Sequence, residues 1–331
     1  MRSTRLILPA LTLGFVVVAA PLPNSATPAE AAPAPVASTI VQEAFAPDGT
    51  ITKVVTAKPA VQLRTKASVL VSAAVATIQE TGTPAARFDL VFVGDGYTDA
   101  EQALFHEHVL SKWAELSSVE PFKAYKNYFN VWQVNVVSVD SGVDDNPQGT
   151  DDKRTALDMG FWCKGTAPTT ERLLCVNEQA AKNYAALAPQ ADQIIALGNT
   201  TKYGGAGGNV ATAAGGNTQA GQIVVHELGH SIGHLADEYF SPGVYTGAEP
   251  TEINATKQPD GSKWARYLGQ ESPDGGVVGV YAGSKYYGTG LYRPTENSIM
   301  RTLGRQYNLV GRDAMIEAFK TKIPELQVPT S

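Results

Sequence analysis

Sulfur and imidazole are scarce in this chain, which has two cysteines, four methionines and five histidines in 331 residues. Two cysteines are too few to build a sulfur-rich metal site. Neither Cys163 nor Cys175 has a histidine beside it in sequence, which disfavours a cysteine nucleophile. An excess of positive charge is also lacking, since 26 basic residues face 32 acidic ones for a net charge of −6. No basic stripe with interleaved aromatics interrupts that balance, so nucleic acid is not an expected partner. The glycine-rich stretch "KYGGAGGNVATAAGGN" does not end in Gly-Lys-Ser/Thr and so is not a phosphate cradle. It reads as a flexible segment with a short strand at its centre, and a strand there offers an edge for a substrate backbone. No internal repeat is visible.

What the chain does contain begins at its first residues. Arg2 and Arg5 precede an apolar run from Leu6 to Ala20, and the small-residue site "AEA" at 29–31 follows. That order is expected of a signal peptide, residues 1–31, with export into the extracellular space. The competing reading is a membrane anchor, but the run is near the lower limit for spanning, contains Pro9 and has no stop-transfer cluster after it. No stable membrane insertion is expected after cleavage. Residues 32–85 are expected to be a linker and a short β-rich segment, either a small appendage or a pro-segment, and 86–331 a single larger domain. In an exported chain the cysteine pair is expected to be a disulfide, closing a short loop worth about 3 kcal/mol.

The pattern inside 86–331 mixes strands and helices. "FDLVFVG" (88–94), "YFNVWQVNVVSV" (128–139) and "DQIIALGN" (192–199) have the apolar, β-branched character of buried strands. "TDAEQALFHEHVLSKWAEL" opens with a Thr98–Glu101 capping box and then shows helical spacing, and "NEQAAKNYAALA" is a second helical stretch. The expected class is α/β (α+β) around a mixed twisted sheet. The Asp-rich loop "DSGVDDNPQGTDDK" offers oxygens to calcium, but its spacing is not that of an EF-hand, so a Ca2+ site has no support beyond composition.

Three of the five histidines fall in "VVHELGHSIGHLADEYF", residues 224–240. A helix capped by Asn217 or Thr218 and buried through Ile223, Val224, Val225 and Leu228 would carry His226 and His230 on one face, a turn apart, where they can share one zinc ion. Glu227 is then placed to act as general base, the H-E-x-x-H chemistry. His234 continues the spacing, but eight residues of helix carry it about 12 Å from His226, too far for a common ion. Gly233 is expected to end the helix in a left-handed turn and return the chain towards the metal. The metzincin pattern H-E-x-x-H-x-x-G-x-x-H finds Ala236 at its last position, and the nearest oxygen ligands are Asp237 and then Glu238. Asp237, with the shorter side chain, is preferred as third ligand, leaving the fourth position open. Met300, in "RPTENSIMRTL", is expected in a Met-turn beneath the metal. Tyr239, Tyr287, Tyr292 and Arg293 are candidate helpers at an oxyanion.

The runs "DLVFVGDGYTDAE", "FWCKGTAPTTERLLCV", "KYGGAGG", "HELGHSIGHLADEY" and "YRPTENSIMR", in that order over roughly residues 86–320, resemble the immunoglobulin-A peptidase family of zinc metallopeptidases. The resemblance implies a zincin-type, metzincin-like catalytic domain, a single Zn2+ ion and secreted endopeptidase activity on a protein or peptide. It implies His226, His230 and Asp237 as ligands and Glu227 as base. Family members often carry a β-sandwich ahead of the catalytic domain, and about 45 residues here are too few for one. Two other accounts compete: an exported zinc-containing binding protein without turnover, and a zinc hydrolase acting on a substrate other than protein.

Overall fold

The computed structural model describes residues 39–57, 73–147, 152–164 and 166–327. The expected signal peptide, 1–31, lies outside the described residues. Chain order begins with a hairpin, β1 (Thr39–Phe45) and β2 (Ile51–Ala57), whose strands pair antiparallel with Glu43 opposite Lys53. There follow β3 (Ala74–Gln79), β4 (Phe88–Asp95), α1 (Gln102–Leu116), α2 (Phe122–Tyr125), β5 (Phe129–Asn135), α3 (Glu178–Ala185), β6 (Gln193–Gly198), β7 (Gly205–Ala206) and β8 (Ala211–Ala214). The chain continues with α4 (Gly221–Ser231), β9 (Phe240–Val244), β10 (Tyr281–Ser284), β11 (Tyr286–Arg293) and α5 (Leu309–Lys322).

Six strands form one mixed sheet in the order β3-β5-β4-β6-β8-β7. The four inner strands are parallel, and antiparallel β3 and β7 form the two edges. This is the expected α/β architecture. The sheet begins with β3, ahead of residue 86. Successive residues of a strand face opposite ways, so β4 divides its side chains between two cores. Leu90 and Phe92 join Phe105, Val109 and Trp113 of α1, Val224 and Leu228 of α4, and Met315 and Phe319 of α5. Val91 and Val93 join Trp132, Val134, and Ala181 and Ala185 of α3 on the other face.

The motif around β4 is structural. Asp95 is fully buried and accepts hydrogen bonds from the Leu157 and Met159 amides at 2.7 and 2.8 Å. Burial outweighs those bonds and raises its carboxyl to about 6. Gly96 has φ 74°, and a Cβ there would lie 2.3 Å from the Gly142 carbonyl oxygen. Only glycine permits that turn. Cys163 and Cys175 form a disulfide with a Cα–Cα distance of 5.1 Å.

The glycine-rich stretch yields two short strands, β7 and β8, and β7 becomes the sheet edge beside α4. A separate three-stranded sheet, β10-β11-β9, follows α4 in sequence.

Candidate metal centre

Helix α4 starts at Gly221, with Ala220 at its cap and no side-chain capping bond, so the expected Asn217 or Thr218 cap does not form. Asn217 is held in the preceding loop, where its Oδ1 accepts from the Gln219 amide and its Nδ2 donates to the Thr201 carbonyl. Burial of Ile223, Val224, Val225 and Leu228 holds the helix in its place.

His226 and His230 meet as their spacing requires, with Nε2 atoms 3.2 Å apart and rings nearly perpendicular. Each ring is oriented from behind. His226 Nδ1 donates to the Ile299 carbonyl at 3.0 Å, and His230 Nδ1 donates to the Leu235 carbonyl at 2.7 Å. With the proton on Nδ1, both Nε2 atoms present lone pairs to one point.

The left-handed residue after the helix is His234, with φ 48°, and not Gly233 as the sequence suggested. Glycine is needed at 233 for space instead, because a Cβ there would lie 2.7 Å from Met315 Sδ and 3.0 Å from the Gly229 carbonyl oxygen. His234 itself is exposed and outside the cluster. Past that bend the Leu235 amide bonds back to the Gly229 carbonyl at 3.1 Å. Asn254 then pins Ala236 through both its amide and its carbonyl, each at 2.8 Å.

Asp237 arrives with Oδ1 at 3.2 Å from His230 Nε2 and 3.4 Å from His226 Nε2. Glu238, the alternative, points elsewhere. Its oxygens accept from Asn254, Asn308 and Ser298 at 2.8–2.9 Å in a buried network that ties the chain after α4 to the segment holding Met300. Met300 is buried, and a Cβ on Gly229 would meet its Sδ at 2.6 Å, so this methionine lies against the helix between the two histidines.

A fourth group was not anticipated. Glu43 of β1 places Oε2 at 2.9 Å from His226 Nε2 and 3.5 Å from His230 Nε2. Its Oε1 accepts from the Tyr239 hydroxyl at 2.5 Å, as Asp237 Oδ2 accepts from the Tyr286 hydroxyl at 2.6 Å. Ligand atoms of Glu43, His226, His230 and Asp237 all lie within 4.8 Å of one another. Nothing in the weakly alternating sequence of β1 marks Glu43. Tyr286 is brought in by an uncommon backbone, since Lys285 and Tyr286 both have positive φ, 48° and 74°. Of the four suggested helpers only Tyr239 reaches the cluster. Tyr287 packs on Tyr245, the Tyr292 backbone pairs with Thr256, and Arg293 donates to the carbonyls of Ala282, Gly283 and Glu296.

Two imidazole lone pairs and two carboxylate oxygens facing one another are all acceptors, and such a group is stable only around a cation or added protons. Asp237 Oδ1 is buried and has no hydrogen-bond partner, as a ligand oxygen aimed at an ion would be. The nitrogen and oxygen donor set therefore fits a divalent ion such as zinc. Glu227, next to His226, is also buried, and its Oε1 lacks a hydrogen-bond partner. Burial and the nearby charge of Glu43 raise its carboxyl to about 7, although His226 and His230 pull it down. Burial keeps Tyr239 and Tyr286 protonated, so both serve as donors. The cluster opens into a cleft of about 680 Å3 lined by Gln42, Gly207, Gly208, Asn209 and Glu227 among others.

Away from this site, one carboxylate oxygen each from Asp144, Asp152 and Asp158 also approach within 4.8 Å. They come from the Asp-rich loop and its flank.

The sequence profile of the family described as IgA Peptidase M64 matches residues 76–274 and 267–319. The chain belongs to that family. It is therefore a peptidase by family, with a metal-type donor cluster that includes the two histidines of its H-E-x-x-H helix. No curated protein matches the chain. No helix among the described residues is long and apolar enough to cross a membrane.

Proposed function

We propose that the protein is a secreted zinc-dependent metalloendopeptidase in which His226, His230 and Asp237 hold one zinc ion and Glu227 is the general base. The observation that carries this reading is the convergence of two Nε2 lone pairs and Asp237 Oδ1 beside a buried, partner-free Glu227 oxygen. Export is supported by the disulfide and by the leader sequence. Residues 1–31 are the proposed signal peptide, and residues 86–331 the proposed catalytic domain.

When bound, zinc supplies a Lewis acid and a water acidified to a pKa of about 7. Glu227 accepts the proton of the attacking water and hands it to the leaving amine. Tyr239 is a neutral donor at the cluster and is the candidate to face the developing oxyanion. Edge strand β7 offers the backbone along which an extended peptide would pair.

Four protein donors, counting Glu43, form the closed pattern of a structural metal site, which favours the competing account of a zinc-containing binding protein. Glu227 opposes that account, because a structural ion has no use for a buried carboxylate left without a partner. Cleavage of casein by zinc-loaded protein, abolished by a chelator and by Glu227→Gln, is the expected result. Casein and a broad peptide library both left whole by folded, zinc-loaded wild type and by zinc-loaded Glu43→Gln would remove the peptidase reading.

A further inference from the structure

Glu43 does not come from the part of the chain that matches the family, which begins at residue 76. It comes from a two-stranded sheet whose strands pair only with each other, so no ladder bond of the six-stranded sheet depends on the hairpin. The hairpin is nonetheless seated on the site. Phe45 is buried edge-on to His226 with ring centroids 5.7 Å apart, and Ile51 and Val54 are buried with it. At the turn, the Gly49 carbonyl accepts from the Leu303 amide at 2.9 Å, three residues past Met300. Gln42 donates to Cys175 Sγ at 3.2 Å, and the Lys53 ammonium lies 4.5 Å above the Tyr286 ring.

These contacts place the hairpin where a substrate would have to lie. β1 runs next to edge strand β7, and Gln42 and Glu43 line the same cleft as Gly207, Gly208, Asn209 and Glu227. Glu43 Oε2 stands on both imidazole nitrogens, and Glu43 Oε1 takes the Tyr239 hydroxyl. One side chain thus fills the remaining ligand place and occupies the Tyr239 hydroxyl, the proposed oxyanion donor. A hydrolytic zinc site keeps one position open, and this one is closed from within the same chain.

We propose that the hairpin of residues 39–57 is an inhibitory segment that keeps the peptidase latent, with Glu43 as a displaceable fourth ligand that must leave before a peptide can bind. The proposal rests on the metallopeptidase reading above. It differs from a permanent structural ligand in one respect: removing Glu43 should open the site without emptying it, because His226, His230 and Asp237 remain.

Full-length wild type, Glu43→Ala and Glu43→Gln, each loaded with Co2+, test this by visible absorption during azide titration, with casein cleavage measured on the zinc forms. Glu43→Gln keeps the shape and the Tyr239 contact, so it guards against loss of the fold in the alanine variant. Wild type should keep one cobalt and a spectrum that azide leaves unchanged. Both variants should keep one cobalt, show an altered spectrum and respond to azide. If wild type is open less than about a tenth of the time, their casein cleavage should rise about tenfold or more. An azide response in wild type equal to that of the variants, or lower cleavage by both variants at full metal content, would overturn latency. No cobalt uptake by any form would overturn the metal reading and latency with it. Azide responses as expected with casein untouched by every form would leave Glu43 a ligand but overturn both the peptidase reading and latency.

Discussion

Glu227 rests against the backbone of Gly207, where an added Cβ would stand 1.8 Å from Oε2. Gly207→Ala should therefore push the proposed base out of place, lowering turnover roughly 10²-fold with the metal content intact. Glu227→Gln should likewise keep stoichiometric metal and lose roughly 10²–10⁴-fold in turnover, whereas His230→Ala should lose the metal itself. Metal analysis by atomic emission beside a peptide assay separates the three. The positions of His226, Glu227 and His230 were readable because a helical period alone sets two side chains four residues apart on one face. The choice between Asp237 and Glu238 was not, since neighbouring residues after a bend point in different directions. The left-handed His234 and the clamp of Asn254 on Ala236 turn Asp237 to the histidines and Glu238 to Ser298 and Asn308.

Helix α1 shows the reverse case, in which local sequence was sufficient. Thr98 and Glu101 form the capping box, with Glu101 Oε2 accepting from the Thr98 amide and hydroxyl at 2.9 and 2.8 Å, and Oε1 accepting from Ser141 and Asn199. Burial opposes the charge, but these bonds outweigh it and lower Glu101 to about 2. A carboxyl depressed in the folded state stabilises fully above its unfolded value near 4.5, and that contribution is lost as pH falls through about 2. Thermal melts between pH 5 and pH 2 should thus fall more steeply for wild type than for Glu101→Gln. Equal slopes would mean that the capping carboxylate carries no such linkage. Helix α4 was located by its apolar positions but not by its start, because Asn217 spends its hydrogen bonds on the loop before it. The glycine-rich stretch was legible as a place for a short strand. That it supplies the outer edge of the sheet follows from its pairing with β8, a long-range fact.

At the scale of the molecule, the Cys163–Cys175 bridge fastens the segment between β5 and α3, and it receives Gln42 of the hairpin on Cys175 Sγ. Replacing both cysteines with serine should cost about 3 kcal/mol of stability, read from denaturant midpoints at unchanged slope. A smaller loss would mean that burial already fixes this loop. The sequence by itself determined the α/β class, the strands that alternate between two cores, the cysteine pair and the two histidines with their glutamate. Each of these rests on the period of a helix or strand, or on composition, and both are local. Only the tertiary structure decided that Glu43, 183 residues before His226, closes the same cluster, and that Tyr286 supports Asp237. A carboxylate in a weak strand carries no mark of what lies opposite it, because its role is set by the surface on which the hairpin comes to rest.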